Sequence, residues 1–298
     1  MLKPRVTIGI CVKNFAKYVK DTLSSLNEQD FPHDLMELII VDGYSEDNTV
    51  NVIKNDLSKT DLKFKIFYDD NGLGKARQIV VDEAVTEYIV WVDGDMILSN
   101  DFVRKQVEFM DISPKVGIAK GKCGLIEGGN LLATLEIYSR AASKMVDFNN
   151  EKTERFKSLG TSGCIYRVTA IREAGGFDEN IKGYGEDLDA ELRVRDVGWS
   201  LYVTDVTYQD YERYGITLNS LWSKYSQRGR DLHLFAQKNR GVLNIFKMSP
   251  PAAFLGGLFH SFTIYRLNRK KIAFLLPFQC GIKHMAWCFG FFSSQINS

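Results

Sequence analysis

Short apolar runs and longer amphipathic stretches alternate over the first 124 residues. The apolar runs are "VTIGICV", "LMELIIV", "FKIFY", "YIVWV" and "VGIAKG", and the stretches between them include "AKYVKDTLSSLNEQ", "SEDNTVNVIKNDLS" and "GKARQIVVDEAV". β-Branched and aromatic runs separated by segments of helical length predict βαβ units, whose parallel strands are covered by helices on both faces. The pattern therefore predicts an α/β fold with a Rossmann-like, mostly parallel sheet.

The alternation stops after residue 124. Residues 129–148 predict one amphipathic helix, and "EDLDAELRVRDVGW" (186–199) predicts another, with Leu188, Leu192 and Val197 on its apolar face. Turn-forming sequences at 160–163, 174–179 and 182–187 fill the interval. We expect a nucleotide-binding half over about 1–124 and an acceptor half over about 125–231.

Charge separates the end of the chain from the rest. Residues 232–298 contain eight Lys or Arg and no Asp or Glu, so residues 1–231 carry a net −7 within a total of +1. Aromatic and aliphatic residues surround these cations, which argues against nucleic acid as a partner. We expect a catalytic domain over 1–231 and a helical, apolar and basic extension over 232–298.

Two acids follow the apolar run "YIVWV" directly. Asp93 and Asp95 lie where a buried parallel strand would end, the edge at which open α/β sheets bind ligands. Two carboxylates this close repel each other unless a positive charge lies beside them. A hard cation such as Mg²⁺ or Mn²⁺ is therefore expected, because both ions prefer oxygen ligands.

Four polar motifs fall at predicted strand ends or helix starts. They are "VDGYSED" (41–47), "NGLGKARQ" (71–78), "VDGD" (92–95) and "GYGED" (183–187). In order and spacing, over residues 5–230, the chain resembles a family-2 glycosyltransferase with the glycosyltransferase-A fold. The resemblance implies an enzyme that moves a sugar from a nucleotide-diphosphate-sugar donor of the UDP or GDP type.

The resemblance also implies roles for the donor-side residues. Asp42 would recognise the nucleotide base, although a turn aspartate followed by Gly43 and Ser45 explains the same residues. Asp93 would contact ribose or metal-bound water, and Asp95 would bind the metal. Gly74, Lys75 and Arg77 would also bind the nucleotide. For Lys75, the alternative is a solvated position in the first turn of a helix.

The acceptor side follows from the same resemblance. Asp187 matches the catalytic base and Glu186 its neighbour, although two acids at a helix N-terminus also complement the helix dipole. Residues beneath the acceptor pocket would be Gly160, Thr161 and Ser162. Arg228 and Arg230 would face the diphosphate or else be solvated. With one base and no second carboxylate beneath the anomeric carbon, an inverting single displacement is expected.

One position departs from the family pattern. Many relatives carry a histidine beyond the Glu-Asp helix that completes the metal site, and "YQDYERYG" (208–215) contains none. Asp210 or Glu212 could replace it, or diphosphate and water could complete the coordination. A polyprenyl-phosphate sugar synthase and a catalytically silent nucleotide- or glycan-binding relative therefore stay open beside a transferase acting on a lipid-linked or cell-surface glycan.

The extension predicts contact with a membrane. Residues 249–265 are short and begin with prolines, and 272–292 are interrupted by Pro277, Gly281, Lys283 and His284, so neither is a clean span of about twenty apolar residues. Interleaved aromatics and cations favour an interfacial anchor at the cytoplasmic face, and the N-terminus shows no signal peptide. A helical lid or an oligomer contact is the alternative.

Overall fold

The structure is a computed structural model that describes residues 3–145, 158–210, 214–239, 246 and 248–296. It divides into two compact units. The first comprises Met1–Lys122 and Phe148–Gln209, and the second comprises Cys123–Asp147 and Asp210–Ser298. The predicted boundary at residue 231 falls inside a helix, Leu218–Lys238, because the change in charge along the chain does not coincide with the change in packing.

A mixed sheet forms the core of the first unit. Its strands within the described residues are β1 (Val6–Val12), β2 (Met36–Asp42), β3 (Lys63–Tyr68), β4 (Tyr88–Trp91), β5 (Ile97–Leu98), β6 (Val116–Cys123), β7 (Cys164–Arg167) and β8 (Ser200–Gln209). Their order is β3-β2-β1-β4-β7-β6-β8-β5. The predicted fold class is confirmed: β3, β2, β1 and β4 pair in parallel.

The other half of the sheet runs differently. β7 pairs antiparallel with β4 and with β6, and β5 pairs antiparallel with β8. "VGIAKG" thus forms the predicted strand β6, but its neighbour β7 runs in the opposite direction. An apolar run indicates burial on both faces and does not encode the direction of the strand beside it.

Helices cover the sheet and end at its edges. Those of the first unit are α1 (Val19–Asn27), α2 (Thr49–Leu57), α3 (Leu73–Glu83), α4 (Phe102–Ile112), α6 (Val168–Glu173) and α7 (Glu186–Asp196), with a 3₁₀ turn at His33–Leu35. β1 is buried along almost its whole length, whereas β3 alternates polar residues at the sheet edge, as an edge strand does. The parallel strands therefore bring the ends of β1, β2 and β4 to one edge.

The second unit is a helical bundle. It contains α5 (Leu131–Met145), α8 (Leu218–Lys238), α9 (Pro250–Asn268) and α10 (Leu276–Ile296), with a 3₁₀ turn at Lys271–Leu275. α5 corresponds to the predicted helix at 129–148, whose last residues lie outside the described ranges. α8 begins with a capping box in which Thr217 and Ser220 bond each other's backbone N–H groups.

The apolar face predicted for α7 is wrong in part. Leu192 is buried, but Val197 lies just after the helix and is 48% exposed. The buried face carries the acids Glu186, Asp189 and Glu191 instead. Buried carboxylates require partners: Glu186 pairs with Arg77, and Glu191 accepts hydrogen bonds from backbone N–H groups.

Candidate active site

The first two acids of the site follow β4 on a tight turn. Asp93 is half-buried and Asp95 is 8% exposed. A Cβ placed on Gly94 between them would lie 2.6 Å from Cγ1 of Val12 and 2.9 Å from the Phe15 ring. Only glycine fits here without a shift of these neighbours, so the β1 end fixes the turn that carries both carboxylates.

One loop joins the acid after β4 to the acid at the start of α7. The Ser162 hydroxyl donates a hydrogen bond to Oδ2 of Asp93. A Cβ placed on Gly160 would lie 3.4 Å from Oδ2 of Asp187, so Asp187 packs against the same loop two residues earlier. The structure therefore brings Asp93 and Asp187 against the same loop, residues 158–163, although about ninety residues separate them in the sequence.

Two buried charges hold this loop. Glu191, which is fully buried, accepts hydrogen bonds from the backbone N–H groups of Leu159 (2.8 Å) and Gly160 (2.7 Å). Lys120, also buried, donates to the carbonyl oxygens of Gly160 (3.4 Å) and Ser162. An anion on the amide side and a cation on the carbonyl side fix the orientation of the loop peptides.

The electrostatics of Lys120 agree with this arrangement. Burial alone would lower the pKa of its ammonium group, but the surrounding groups Tyr208, Cys164, Glu191 and Asp93 raise that pKa well above its ordinary value. Lys120 therefore stays charged at all physiological pH values. The sequence analysis missed Glu191 and Lys120, although Glu191 lies one helical turn after Asp187 and Lys120 interrupts an apolar strand.

Glu186 is buried against Arg77. The two side chains form an ion pair and are 3% and 9% exposed. The Arg77 guanidinium also lies 6.0 Å from the ring centroids of Trp91 and Phe177. Arg77 and Glu186 thus come together as a pair that fixes the first residue of α7, immediately before Asp187.

The glycine-rich start of α3 contacts the segment that leads to α7. A Cβ on Gly74 would lie 2.2 Å from the Asp178 carbonyl oxygen, and the N–H groups of Leu73 and Gly74 donate to the carbonyls of Lys182 (2.9 Å) and Ile181 (3.2 Å). Lys75 pairs with Glu179 at 2.9 Å. The glycine is therefore required by a close approach of protein backbone, and the nucleotide roles of Gly74, Lys75 and Arg77 stay predictions.

Asp42 ends β2 and is 1% exposed. Its carboxylate accepts hydrogen bonds from the backbone N–H (2.8 Å) and the hydroxyl (2.6 Å) of Ser45. These are the contacts of a turn aspartate. Both carboxylate oxygens therefore already have a partner within the Ser45 turn, and recognition of a base by Asp42 stays a prediction.

Asn14, which the sequence analysis did not single out, ties the loop after β1 to the turn after β2. It adopts a positive φ of 60°, and its Oδ1 accepts hydrogen bonds from the N–H groups of Glu46 (2.9 Å) and Asp47 (3.4 Å). In return, the Ser45 hydroxyl accepts one from the Asn14 N–H at 2.8 Å. The turns at the ends of β1 and β2 therefore form one hydrogen-bonded unit.

The remaining predicted residues have the following positions. Thr161 is buried. Ser162 donates its hydroxyl hydrogen bond to Asp93. Arg228 and Arg230 lie on α8 in the second unit, where Arg228 faces the Tyr225 ring at 5.1 Å and Arg230 donates to Gln227. Their diphosphate role stays a prediction.

The chemistry of the donor set fits a hard cation only in part. Asp93 and Asp95 supply carboxylate oxygens of the kind that Mg²⁺ and Mn²⁺ bind. Within the described ranges, no group of three or more His, Cys, Asp or Glu is arranged to hold a metal. Asp210 is buried and pairs with Arg140, and Glu212 lies outside the described residues. The two acids would hold a cation together with ligands from a bound molecule.

Comparison with curated proteins gives partial matches. The chain is 30% identical over 99 residues to the poly(ribitol-phosphate) beta-N-acetylglucosaminyltransferase TarS of Staphylococcus aureus, covering 33% of this chain and 17% of TarS. It is 22% identical over 232 residues to the poly-beta-1,6-N-acetyl-D-glucosamine synthase of Staphylococcus epidermidis, covering 74% and 53%. The matches thus span between a sixth and about half of these relatives.

Solved structures share the fold. S. aureus TarS 1-349 in complex with UDP superimposes with a TM-score of 0.55 at 18% identity, covering 99% of this chain and 92% of that one. A mannosyltransferase from Pyrobaculum calidifontis in complex with GDP-Man and Mn²⁺ gives 0.59 at 17% identity, covering 96% and 88%.

A family profile covers more than half of the sequence and includes the acid that ends β2 and the two acids after β4. The profile described as Glycosyl transferase family 2 matches residues 7–173. The chain therefore belongs to glycosyltransferase family 2.

Proposed function

We propose that the chain transfers a sugar, with inversion, from a nucleotide-diphosphate-sugar to a hydroxyl of a lipid-linked or cell-surface glycan. The observation that carries this proposal is that Asp93 and Asp187 contact the same loop, residues 158–163. One acid faces the end of the parallel strands, where α/β folds bind nucleotides. The other lies in the first turn of a helix that two buried contacts hold in place.

Asp187 is the proposed general base. An acceptor hydroxyl is a poor nucleophile until a base accepts its proton as the new C–O bond forms. Oδ1 of Asp187 accepts a hydrogen bond from the Leu188 N–H at 2.7 Å, which fixes the carboxylate and leaves lone pairs on Oδ2. A single base implies one displacement, so an α-linked donor would give a β-linked product.

A divalent cation is part of the proposal. Asp95, with Asp93, would hold Mg²⁺ or Mn²⁺, and the bound ion would supply stabilisation for the charge that develops on the leaving diphosphate. The P. calidifontis complex with GDP-Man and Mn²⁺ supports this assignment. The names of TarS and of the S. epidermidis synthase make UDP-N-acetylglucosamine the first donor to test.

If Asp95 binds the metal, Asp95→Asn should lose the stabilisation that nucleotide and Mn²⁺ give to the folded protein. At about 100 times the dissociation constant, a nucleotide stabilises the fold by about 2.7 kcal/mol, or roughly 5 to 10 °C in Tm. With UDP or GDP and Mn²⁺ we expect such a shift in the wild type and little in Asp95→Asn. Asp205→Asn, which removes a 96% exposed carboxylate paired with Lys122, is the control. An equal shift in wild type and Asp95→Asn would remove Asp95 from the metal site.

We further propose that the second unit contacts an anionic membrane surface. On α9, Leu255, Leu258, Phe259 and Phe262 are exposed at helical spacing and so share one face. On α10, the exposed side chains Phe278, Met285, Phe289 and Phe292 also recur on one face. The exposed cations Arg266, Arg269 and Lys271 lie in the last turn of α9 and in the segment that leads to α10.

Contact in the plane of the membrane fits the second unit better than crossing. Lys271–Ser294 is the one helical stretch among the described residues that is long and apolar enough to span a bilayer, and 44% of its apolar window is buried within the protein. Lys283 in its middle donates to Glu136 (2.9 Å) and Ser139 (2.8 Å) of α5. The helix therefore uses part of its surface to pack against its neighbours.

Vesicle binding tests this surface. We expect the full chain to float with vesicles of phosphatidylglycerol and phosphatidylcholine and to release at high salt, because each cation near the surface contributes roughly 1 kcal/mol. Phe259→Ser combined with Phe262→Ser and Phe278→Ser should abolish flotation. The control Ile112→Ser changes an 82% exposed side chain on α4 and should not. Equal flotation of the triple variant would exclude this face as the contact.

A further inference from the structure

Two exposed tyrosines lie at the carboxyl edge of the parallel strands. Tyr44 is 57% exposed and Tyr68 is 44% exposed. Their ring centroids are 5.9 Å apart, with an angle of 39° between the planes. Neither residue has a role in the proposed chemistry, although both adjoin Asp42.

Strand register places the two rings together. Asp42 pairs with Tyr68 across the parallel strands β2 and β3, and paired residues point to the same face of a sheet. Tyr44 follows two residues after Asp42, in the turn that the Asp42–Ser45 hydrogen bonds close. The buried Asp42 carboxylate therefore shapes the turn that carries the exposed Tyr44 ring beside Tyr68.

The backbone of Tyr44 is unusual. Its φ is +54°, in the left-handed region that bulky side chains rarely adopt. Such outliers persist only where the surroundings impose them, and they concentrate at binding sites. Glycine is the residue that this conformation favours, so the fold alone does not explain a tyrosine here.

The distance along the sheet fits a nucleoside. β2 and β3 lie two and three strand positions from β4, whose end carries Asp93 and Asp95. Strands are spaced about 4.8 Å apart, which gives roughly 10 to 14 Å between the ends of β2 and β3 and the end of β4. An extended nucleotide whose diphosphate lies at these acids would bring its base to this part of the edge.

We propose that Tyr44 and Tyr68 form the surface on which the nucleobase of the donor stacks. This inference rests on the proposed function and adds the base-binding residues to it. Stacking uses the face of the ring, and both tyrosine rings are exposed, whereas the Asp42 side chain is 1% exposed and already accepts two hydrogen bonds from Ser45. The site would accept a flat heteroaromatic ring and would discriminate weakly between uracil and guanine, because every base has a π-face.

The test compares ligands with and without a base. Affinities for UDP, GDP and pyrophosphate, each with Mn²⁺, are measured by calorimetry for the full chain. Loss of one aromatic stacking partner typically weakens binding by roughly 5- to 150-fold. We expect a loss of this size for UDP or GDP in Tyr44→Gly and in Tyr68→Ala, with the affinity for pyrophosphate unchanged.

Stability gives an independent readout of Tyr44→Gly. Because glycine is relaxed at a φ of +54°, the variant should keep or raise the Tm while it loses nucleotide affinity; a purely structural ring pair would instead lower the Tm and leave affinity intact. Tyr44→Phe should bind like the wild type. Tyr202→Ala removes a ring from another exposed stack, with Phe109 at 4.9 Å, and should also leave nucleotide affinity unchanged.

The outcomes separate the two proposals. Wild-type chain that binds UDP or GDP, with equal affinity in Tyr44→Gly and Tyr68→Ala, overturns the stacking surface and leaves the proposed function intact. Wild-type chain that binds pyrophosphate as tightly as either nucleotide also overturns it, since the base would contribute nothing. Wild-type chain that binds none of the three overturns the proposed function and the stacking surface with it.

Discussion

Asp187→Asn should lower sugar transfer by about 10² to 10⁴-fold, the range that a positioned general base contributes. The amide oxygen can still accept the hydrogen bond that Oδ1 of Asp187 takes from the Leu188 N–H, so the start of α7 should keep its structure. The measurement is release of nucleoside diphosphate from UDP-N-acetylglucosamine and from a panel of GDP- and UDP-sugars, with candidate glycan acceptors present.

Binding distinguishes this loss from unfolding or from a lost donor site. Asp187→Asn should show the same Mn²⁺-dependent Tm shift with nucleotide as the wild type. Full transfer by Asp187→Asn would remove the residue from the reaction. Nucleotide-dependent stabilisation without turnover by the wild type on any acceptor would instead identify a silent relative. Transfer to a polyprenyl phosphate that survives Asp187→Asn would favour the synthase, because that acceptor oxygen is already ionised.

Arg77→Met should cost about 3 to 5 kcal/mol of unfolding free energy, because it leaves the Glu186 carboxylate buried without its charge partner. The pair is almost fully enclosed, at 9% and 3% exposure. Chemical denaturation monitored by circular dichroism measures the loss. Combining Arg77→Met with Glu186→Leu should recover most of it, since replacing both members of a buried pair by apolar groups is often neutral or stabilising.

An exposed ion pair made by another cation of α3 provides the control. Lys75 and Glu179 are 32% and 47% exposed, and surface pairs of this kind contribute about 0 to 1 kcal/mol. Lys75→Met should therefore cost far less than Arg77→Met, although both remove a cation from α3. Equal costs for the two variants would contradict the assignment of Arg77 as the residue that fixes Glu186.

The sequence predicts the parallel half of the sheet because each of its strands is a local signal. Runs such as "YIVWV" and "LMELIIV" report burial on both faces, and polar residues directly after them report a strand end. The direction of β7 is not encoded in its own residues, because it depends on which strands β7 pairs with after the long segment that follows β6. The antiparallel pairing of β7 with β4 and β6 therefore could not be predicted from the sequence.

The site divides in the same way. The positions of Asp93 and Asp187 follow from motif order, but Glu191 and Lys120 are distinguished only by partners on a loop far away in the sequence. A glutamate within a helix ordinarily reads as solvent-facing. The partner of Arg77 and the positive φ of Tyr44 are likewise properties of tertiary packing that no residue pattern encodes.

Glu191 and Lys120 hold the peptide groups of residues 158–163 in fixed orientations, and this affects how the site responds when charge develops during the proposed transfer. The Glu191 carboxylate aligns these peptide groups on their N–H side and the Lys120 ammonium aligns them on their carbonyl side. They need not rotate when charge develops beside them. Water in an open cleft would have to reorient at each turnover, whereas these dipoles, with Ser162 attached to Asp93, stay oriented in advance. On the proposed mechanism, neutralising Lys120 or Glu191 would therefore raise the reorganisation cost of the chemical step, even with Asp93 and Asp187 in place.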